Sequence, residues 1–145
     1  MGDMYEKLIE VRIDDIDLNG HLHNARYLEY ANHARASYFE ESDFPVSRMY
    51  QAGLGPVMFS EEAKYRHELF LGQFVTLKVQ VVGMSADASR WQILHTFLRP
   101  DGQQAASLTS AGAWVDLKTR KVKAPPPEIR SLMDAVRSPH CTTIG

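Results

Sequence analysis

The sequence has a single cysteine, no long hydrophobic run and no long block of like charge. Because Cys141 has no second cysteine to pair with, an intrachain disulfide is excluded. The apolar runs fall far short of the roughly 18 residues that predict a membrane-spanning helix. The 16 basic and 18 acidic residues leave a net charge of −2, whereas binding to a phosphate backbone depends on clustered Lys and Arg. The sequence therefore predicts neither a nucleic-acid partner nor a membrane partner.

The start of the sequence also lacks the pattern of a signal peptide. Residues 1–7 include two acidic side chains and no apolar core, which is unlike a secretory signal. The length of 145 residues fits one domain. The hydrophobic fraction of 44% and the charged fraction of 23% are typical of soluble globular proteins. We therefore expect a soluble cytoplasmic protein.

One segment has the periodicity of a buried helix. Asn24 is a residue type that suits the N-cap position, and apolar side chains follow it at helical spacing at Tyr27, Ala31, Ala34 and Tyr38. Further apolar residues widen the same face, so we expect the helix to be deeply buried. It should end before residues 42–45, which contain a proline.

The remaining apolar pattern is that of strands. The segment 74–84 alternates apolar and polar side chains with a period of two. Similar runs predict further strands, and a short helix should close the domain at 128–136. The predicted strands are 7–13, 57–65, 74–84, 90–99 and 104–117. One buried helix and several long antiparallel strands predict an α+β fold in which the sheet wraps around the helix. The domain should span 5–136, with 137–145 as a C-terminal tail.

The polar segment 14–27 contains the side chains that are best suited to catalysis. Asp17, Asn19 and His21 stand at alternate positions, and in an extended loop alternate side chains point to one side. A carboxylate can activate water or attack a carbonyl carbon directly. The amide and the imidazole can orient that carboxylate or the water. Free N–H groups at the start of the following helix can stabilise negative charge on an oxygen.

Three other interpretations of this segment remain open. Because Asp, Asn and Gly are common in turns, a polar turn followed by a helix cap explains the pattern equally well. Asp15 begins a partial match to an EF-hand calcium loop, but Arg26 occupies the twelfth position, where a bidentate Glu is required. A transition-metal site would use His21 and His23 with Asp17, yet the sequence has no obvious further ligand cluster. We therefore predict no metal site.

The segment 17–30, D-L-N-G-H-L-H-N-A-R-Y-L-E-Y, resembles the signature of acyl-ACP thioesterases, written roughly D-x-N-x-H-x-N-N-x-(K/R)-Y. It is also similar to the Asp-containing loop of the 4-hydroxybenzoyl-CoA thioesterase family, in which the aligned Asp is catalytic. A second and shorter match is Tyr65-Arg66-His67-Glu68, which resembles the Y-R-x-E element of the acyl-ACP enzymes. The resemblance covers nearly the whole chain and implies a single hot-dog domain.

The resemblance nominates four catalytic residues: Asp17, Asn19, His21 and Glu68. The sequence departs from the plant-type signature at His23, where those enzymes have Asn, and at Leu69, where they often have Cys. A cysteine nucleophile is therefore excluded. For the substrate we nominate the helix start and nearby side chains, namely Asn24, Ala25, Tyr27, Lys64 and Arg66. The basic residues among them would meet phosphates of coenzyme A.

The implied reaction is hydrolysis of an acyl thioester of coenzyme A or of acyl carrier protein. No cofactor is expected, because a thiolate is already a good leaving group and coenzyme A enters as part of the substrate. Since the plant enzymes fuse two hot-dog units and this chain has one, we expect a homodimer, with a tetramer as a further possibility. Two alternatives are a hot-dog hydratase or dehydratase acting on an enoyl or hydroxyacyl thioester, and a non-catalytic acyl-CoA-binding module.

Overall fold

The central element of the fold is helix α1, Asn24–Glu41. In the computed structural model, which describes residues 4–145, its 18 residues span about 27 Å at a rise of roughly 1.5 Å each. Its buried residues recur every three or four positions at Tyr27, Tyr30, Ala31, Ala34 and Ser37. The opposite face is open, and Leu28 is 37% exposed. The expectation of deep burial is therefore confirmed for one face and wrong for the other.

A sheet of six strands packs against this helix. The strands are β1 (Tyr5–Glu10), β2 (Leu54–Tyr65), β3 (Phe74–Ser85), β4 (Arg90–Leu98), β5 (Gln104–Asp116) and β6 (Arg137–Ile144). Two shorter helices are α2 (Val46–Gln51) and α3 (Pro127–Ala135), and a single 3-10 turn covers Ile13–Asp15. The main strand order is β1-β3-β4-β5-β2, and all neighbours in it run antiparallel. The predicted α+β fold is confirmed.

The alternation that predicted strand β3 is reproduced by its burial. Val75, Leu77, Val79 and Val81 are all buried, whereas the residues between them are half-buried. Strands β4 and β5 are joined by a turn in which Gly102 donates its N–H to the Arg99 carbonyl at 2.8 Å. The sequence pattern therefore places the central strands within one or two residues of their observed ends.

Residues 137–144 are not a tail but the sixth strand. Strand β1 pairs with β3 only along residues 74–79, which leaves the end of that edge without a partner. Strand β6 runs parallel to β3 there and pairs Thr142–Ile144 with Gly83–Ser85. Because an unpaired stretch of β3 offers free backbone groups, β6 is held by main-chain hydrogen bonds rather than by a hydrophobic face. The assignment of this segment outside the domain is corrected accordingly.

The buried side chains form two clusters between α1 and the sheet. The first contains Tyr27 and Phe97 and lies under the amino-terminal half of α1. The second contains Trp91 and Trp114 and extends to α2 and α3. Within residues 4–145, no helix is long and apolar enough to cross a membrane. Residues 1–3, on which part of the signal-peptide prediction depends, lie outside the described residues.

Candidate active site

The segment 16–22 forms a tight turn in front of helix α1. Asp17 donates its N–H to the His21 carbonyl at 2.8 Å, and the Asp17 carbonyl accepts the N–H of Gly20 at 3.0 Å. Ile16 and Leu22 close the turn as an antiparallel bridge. Gly20 has a φ of +81°, a left-handed conformation that glycine adopts without strain. The turn therefore holds the Asp17 backbone at both its N–H and its carbonyl.

The carboxylate of Asp17 is fixed by the same turn. Its Oδ1 accepts the N–H of Asn19 at 2.9 Å and the N–H of His21 at 3.2 Å. Hydrogen bonds from backbone donors favour the ionised form of a carboxyl group. The His21 N–H is the largest cause that lowers the pKa of Asp17 below its ordinary value of 3.8. Asp17 is therefore an oriented carboxylate that is ionised at neutral pH.

The turn corrects the expectation that Asp17, Asn19 and His21 share one side of an extended loop. Asn19 lies exposed at the tip, and its backbone N–H, rather than its side chain, contacts Asp17. The His21 ring packs edge-on against Phe70, with ring centroids 5.1 Å apart. The Asn19 side chain forms no hydrogen bond with the described part of the chain. Asp17 and His21 are therefore adjacent, and Asn19 contributes through its main chain.

The N-cap of helix α1 lies one residue earlier than predicted. His23, not Asn24, is the N-cap, and its Nδ1 accepts the N–H of Ala25 at 3.1 Å. An imidazole thus performs the capping role expected of an Asn side chain. Because the Ala25 N–H is occupied, the donor without an acceptor among residues 4–145 at this position is the N–H of Asn24. The helix terminus therefore offers one of the two backbone donors that the sequence suggested.

Glu68 is brought to the same turn by a second segment. Leu22 donates its N–H to the Leu69 carbonyl at 2.7 Å, and His21 forms a bridge with Phe70. Glu68 directly precedes Leu69 and is exposed. The structure therefore places the two predicted motifs side by side, although they are about fifty residues apart in the sequence.

The Tyr27 side chain lies near both Asp17 and Glu68. Its side chain is 4% exposed, and burial is the largest cause that raises its pKa to about 12. The remaining causes are the nearby Tyr65, Glu68 and Asp17, in that order. Only charges within a short range have such an effect. Asp17 and Glu68 therefore share one electrostatic environment around the Tyr27 hydroxyl.

Tyr65 belongs to this cluster although the sequence did not nominate it. Its ring lies edge-on to that of Tyr27, with centroids 4.9 Å apart, and its hydroxyl donates to the Asn24 carbonyl at 3.5 Å. The sequence did contain a signal for this residue, because Tyr65 is the first residue of the Y-R-x-E match. Lys64 and Arg66 are exposed, and neither forms an ion pair within residues 4–145. Their predicted contact with phosphates stays a prediction.

The chain belongs to the Thioesterase-like superfamily, whose family model matches residues 11–133. It is 29% identical over 126 residues to "Long-chain acyl-CoA thioesterase FadM" of Escherichia coli, covering 87% of this chain and 94% of the relative. The family is one of thioester hydrolases, and this chain is a thioester hydrolase with the hot-dog fold. The family resemblance inferred from the two motifs is confirmed.

Solved structures share the fold. A 1,4-dihydroxy-2-naphthoyl-CoA thioesterase from Synechocystis superposes with a TM-score of 0.81 at 14% identity, covering 90% of this chain and 95% of that one. The hypothetical protein SAV2348 from Staphylococcus aureus, solved in complex with CoA, superposes with a TM-score of 0.83 at 19% identity, covering 92% and 83%. In this chain, no group of three or more metal-ligating side chains occurs within residues 4–145.

Proposed function

We propose that this thioester hydrolase cleaves acyl-CoA thioesters and that Asp17 is the reacting carboxylate. The observation that carries the proposal is the turn 16–22, which orients an ionised Asp17 beside the first residue of helix α1. The name of the Escherichia coli relative and the CoA complex of the Staphylococcus aureus protein support coenzyme A as the carrier. Acyl carrier protein is a second carrier that the Lys64 and Arg66 side chains would suit.

In the proposed reaction, Asp17 acts on the thioester carbonyl as a general base or as a nucleophile. As a base it removes a proton from water while the water oxygen bonds to the carbonyl carbon, and the carbon–sulfur bond then breaks. As a nucleophile it bonds to the carbonyl carbon and the carbon–sulfur bond breaks, which releases the coenzyme A thiolate and leaves an anhydride that water hydrolyses to the acid and free Asp17. The free N–H of Asn24 suits the developing charge on the carbonyl oxygen. Glu68 positions the water, and the products are a free acid and coenzyme A.

We also propose that the working unit is a homodimer joined through strand β2. Strand β2 pairs with β5 on one side only, so its other edge is open. Met58 and Phe59 lie on it and are 36% and 59% exposed. An open strand edge with apolar side chains favours pairing with a second copy, and a tetramer would bury further surface. Light scattering that gave a mass near 16.4 kDa at micromolar concentration would contradict this assembly.

A panel of acyl-CoA substrates, assayed with a thiol reagent, tests the proposed function. Release of one free thiol per acid formed is the expected result. A change in enoyl absorbance without thiol release would instead identify a hydratase. Tight binding of every acyl-CoA with neither signal would identify a non-catalytic binding module. The matched substrate for the second carrier is the same acyl group on acyl carrier protein, and faster turnover of that thioester would reverse the choice of carrier.

A further inference from the structure

Tyr27 is a buried residue whose hydroxyl is bound by no described part of the chain. Its ring is fixed on two sides, because the ring centroids of Tyr65 and Phe97 lie 4.9 and 5.1 Å from its own. The whole side chain is only 4% exposed. Within residues 4–145, however, no backbone or side-chain group forms a hydrogen bond with the Tyr27 hydroxyl. Buried tyrosine hydroxyls usually have a partner, so this one calls for an explanation.

The Tyr27 hydroxyl is not sealed inside the core. Among residues 4–145, the side-chain polar atoms that are both closed to solvent and without a partner belong to other residues. Since the Tyr27 hydroxyl lacks a partner and yet is not one of these atoms, it reaches the surface of the site. The ring therefore holds a hydrogen-bonding group in place, and the partner of that group is solvent or a bound molecule.

The Tyr27 side chain points toward the start of helix α1. Tyr27 lies three residues, about one turn, after Asn24, and helical side chains lean toward the N-terminus of their helix. Tyr65 indicates the same direction, because its ring contacts Tyr27 and its hydroxyl donates to the Asn24 carbonyl at 3.5 Å. The Tyr27 hydroxyl and the free Asn24 N–H therefore lie at the same end of the helix.

The two carboxylates of the site lie at this end as well. Leu22 and Leu69, which join the Asp17 turn to the Glu68 segment, are buried in the same cluster as Tyr27. Burial, followed by neighbouring ionisable groups that include Glu68 and Asp17, raises the pKa of Tyr27 to about 12. The hydroxyl therefore keeps its proton at neutral pH and is a neutral donor beside two carboxylates.

The backbone at the helix start offers a substrate oxygen only part of what it can accept. Within the described chain, the Ala25 N–H is bound by His23 Nδ1 at 3.1 Å and the Arg26 N–H by the His23 carbonyl at 2.9 Å, which leaves the Asn24 N–H. A carbonyl oxygen has two lone pairs and can accept from two donors. Tyrosine hydroxyls are among the side-chain donors that stabilise a developing oxyanion. Tyr27 is thus suited to be the second donor.

We propose that the Tyr27 hydroxyl is a catalytic hydrogen-bond donor that binds the thioester carbonyl oxygen together with the Asn24 N–H. As the carbonyl carbon gains a fourth single bond, the electron pair of the C=O double bond moves onto oxygen, where the two donors stabilise it. The pair returns when the carbon–sulfur bond breaks and the thiolate leaves, and Tyr27 keeps its proton throughout. This inference rests on the proposed function and deepens it by assigning a side-chain donor to that oxygen.

Tyr27→Phe tests the proposal, because it removes only the hydroxyl and keeps the ring contacts. With a good acyl-CoA, kcat should fall by about 10²–10³-fold, the usual cost of losing one such donor. KM should change little, since the lost interaction is strongest in the transition state. The unfolding midpoint in urea should not fall, because no protein group loses a partner. A normal kcat would overturn the proposal. A variant too unstable to fold would also overturn it, since the hydroxyl would then be bonded within the protein.

Tyr30→Phe is the matched control on the same helix. Tyr30 is also buried, at 7% exposed, but its hydroxyl donates to the Asp15 carboxylate at 2.6 Å. This variant should therefore have a lower unfolding midpoint and a kcat close to that of the wild type, the reverse of Tyr27→Phe. An equal loss of kcat in both variants would overturn the proposal, because it would show that losing either buried hydroxyl disturbs the site.

The carbonyl group itself reports the donor. A ketone analogue of the acyl-CoA, with a methylene group in place of sulfur and ¹³C at the carbonyl, cannot be hydrolysed. Its carbonyl resonance should move downfield on binding to the wild type, because donors polarise the C=O bond, and should move less on binding to Tyr27→Phe. Equal shifts would overturn the proposal while leaving thioester hydrolysis intact. A wild-type protein that released no thiol from any acyl-CoA would overturn the proposed function and this inference with it.

Discussion

Two polar clusters border helix α1, and they are built in opposite ways. The Asp17 cluster is anionic and partly exposed, and backbone N–H groups of a seven-residue turn hold its carboxylate. The Arg35 cluster is cationic and half-buried, and side chains from two strands (His95 and Ser110) and from α1 itself (Asn32) hold its guanidinium. A carboxylate that water can reach is suited to activating water. The Arg35 guanidinium instead ties helix α1 to strands β4 and β5.

The difference also shows which parts of a site can be inferred from sequence. The Asp17 turn is local, so its residues stand within a short motif and the Gly20 turn can be predicted from residue types. Arg35, Glu61, His95 and Ser110 are scattered over the chain. They meet only because the strand order places β4, β5 and β2 side by side under the helix. No sequence spacing records that order, and the cluster was therefore missed.

The largest expected effect is on turnover at the Asp17 cluster. Asp17→Asn keeps an oxygen that can accept the N–H groups of Asn19 and His21 but loses the carboxylate charge. We therefore expect a well-folded protein whose turnover is lower by about 10²–10⁴-fold, the usual contribution of general-base catalysis. Thiol release from one good acyl-CoA measures it. Asp14→Asn, at an exposed carboxylate of the same segment, is the control. An equal loss of turnover in both variants would mean that the loss comes from the change in net charge and not from a role of Asp17 in the reaction.

The next effect concerns stability at the Arg35 cluster. His95→Leu removes the hydrogen bond from the Leu108 carbonyl and leaves the Arg35 Nη1 with the longer bond to Ser110 only. A buried group that loses its partner costs about 1–3 kcal/mol, so the free energy of unfolding should fall by at least about 1–3 kcal/mol. Urea unfolding measures this change. In His140→Leu, at an exposed histidine, the free energy of unfolding should stay within about 0.5 kcal/mol of the wild-type value. A His95→Leu protein as stable as the wild type would contradict the hydrogen bonds described for His95.

Glu68 should matter less than Asp17 because its assigned role is to position water. Glu68→Gln should lose about 10–100-fold in turnover, or roughly 1.4–2.7 kcal/mol of barrier. Glu62→Gln, at an exposed carboxylate of β2 six residues before Glu68, is the matched control. Should Glu68→Gln be inactive while Asp17→Asn keeps more than about a tenth of its turnover, the two roles are inverted.

The pH dependence should show no effect in the range where histidine titrates. Asp17 has a pKa below 3.8, so its reactive ionised form is present above that pH and is lost only as the pH falls through the lowered pKa. The value of kcat/KM should therefore stay level as the pH is lowered from about 7 to about 5. A fall centred near pH 6.5, the ordinary value for histidine, would assign the base to an imidazole such as His21.

The fold itself was largely predictable, and the exceptions have physical causes. Strand β3 was placed at 74–84 and is observed at Phe74–Ser85, because alternating burial imposes a period of two on its side chains. Strand β6 has no such period, since it is fixed by main-chain pairing with β3. The start of α1 was misplaced by one residue because His23 takes a capping role that residue statistics give to Asn.

A double-mutant cycle on Asp17 and Glu68 tests the central claim that the two motifs form one thioester-hydrolysing site. The experiment measures turnover of one acyl-CoA by Asp17→Asn, by Glu68→Gln and by the double variant. If both carboxylates act on one water, the double variant should lose little more than Asp17→Asn alone, because residues that work as a unit are not additive. A loss equal to the product of the two single losses would show independent action and contradict the shared site around Tyr27.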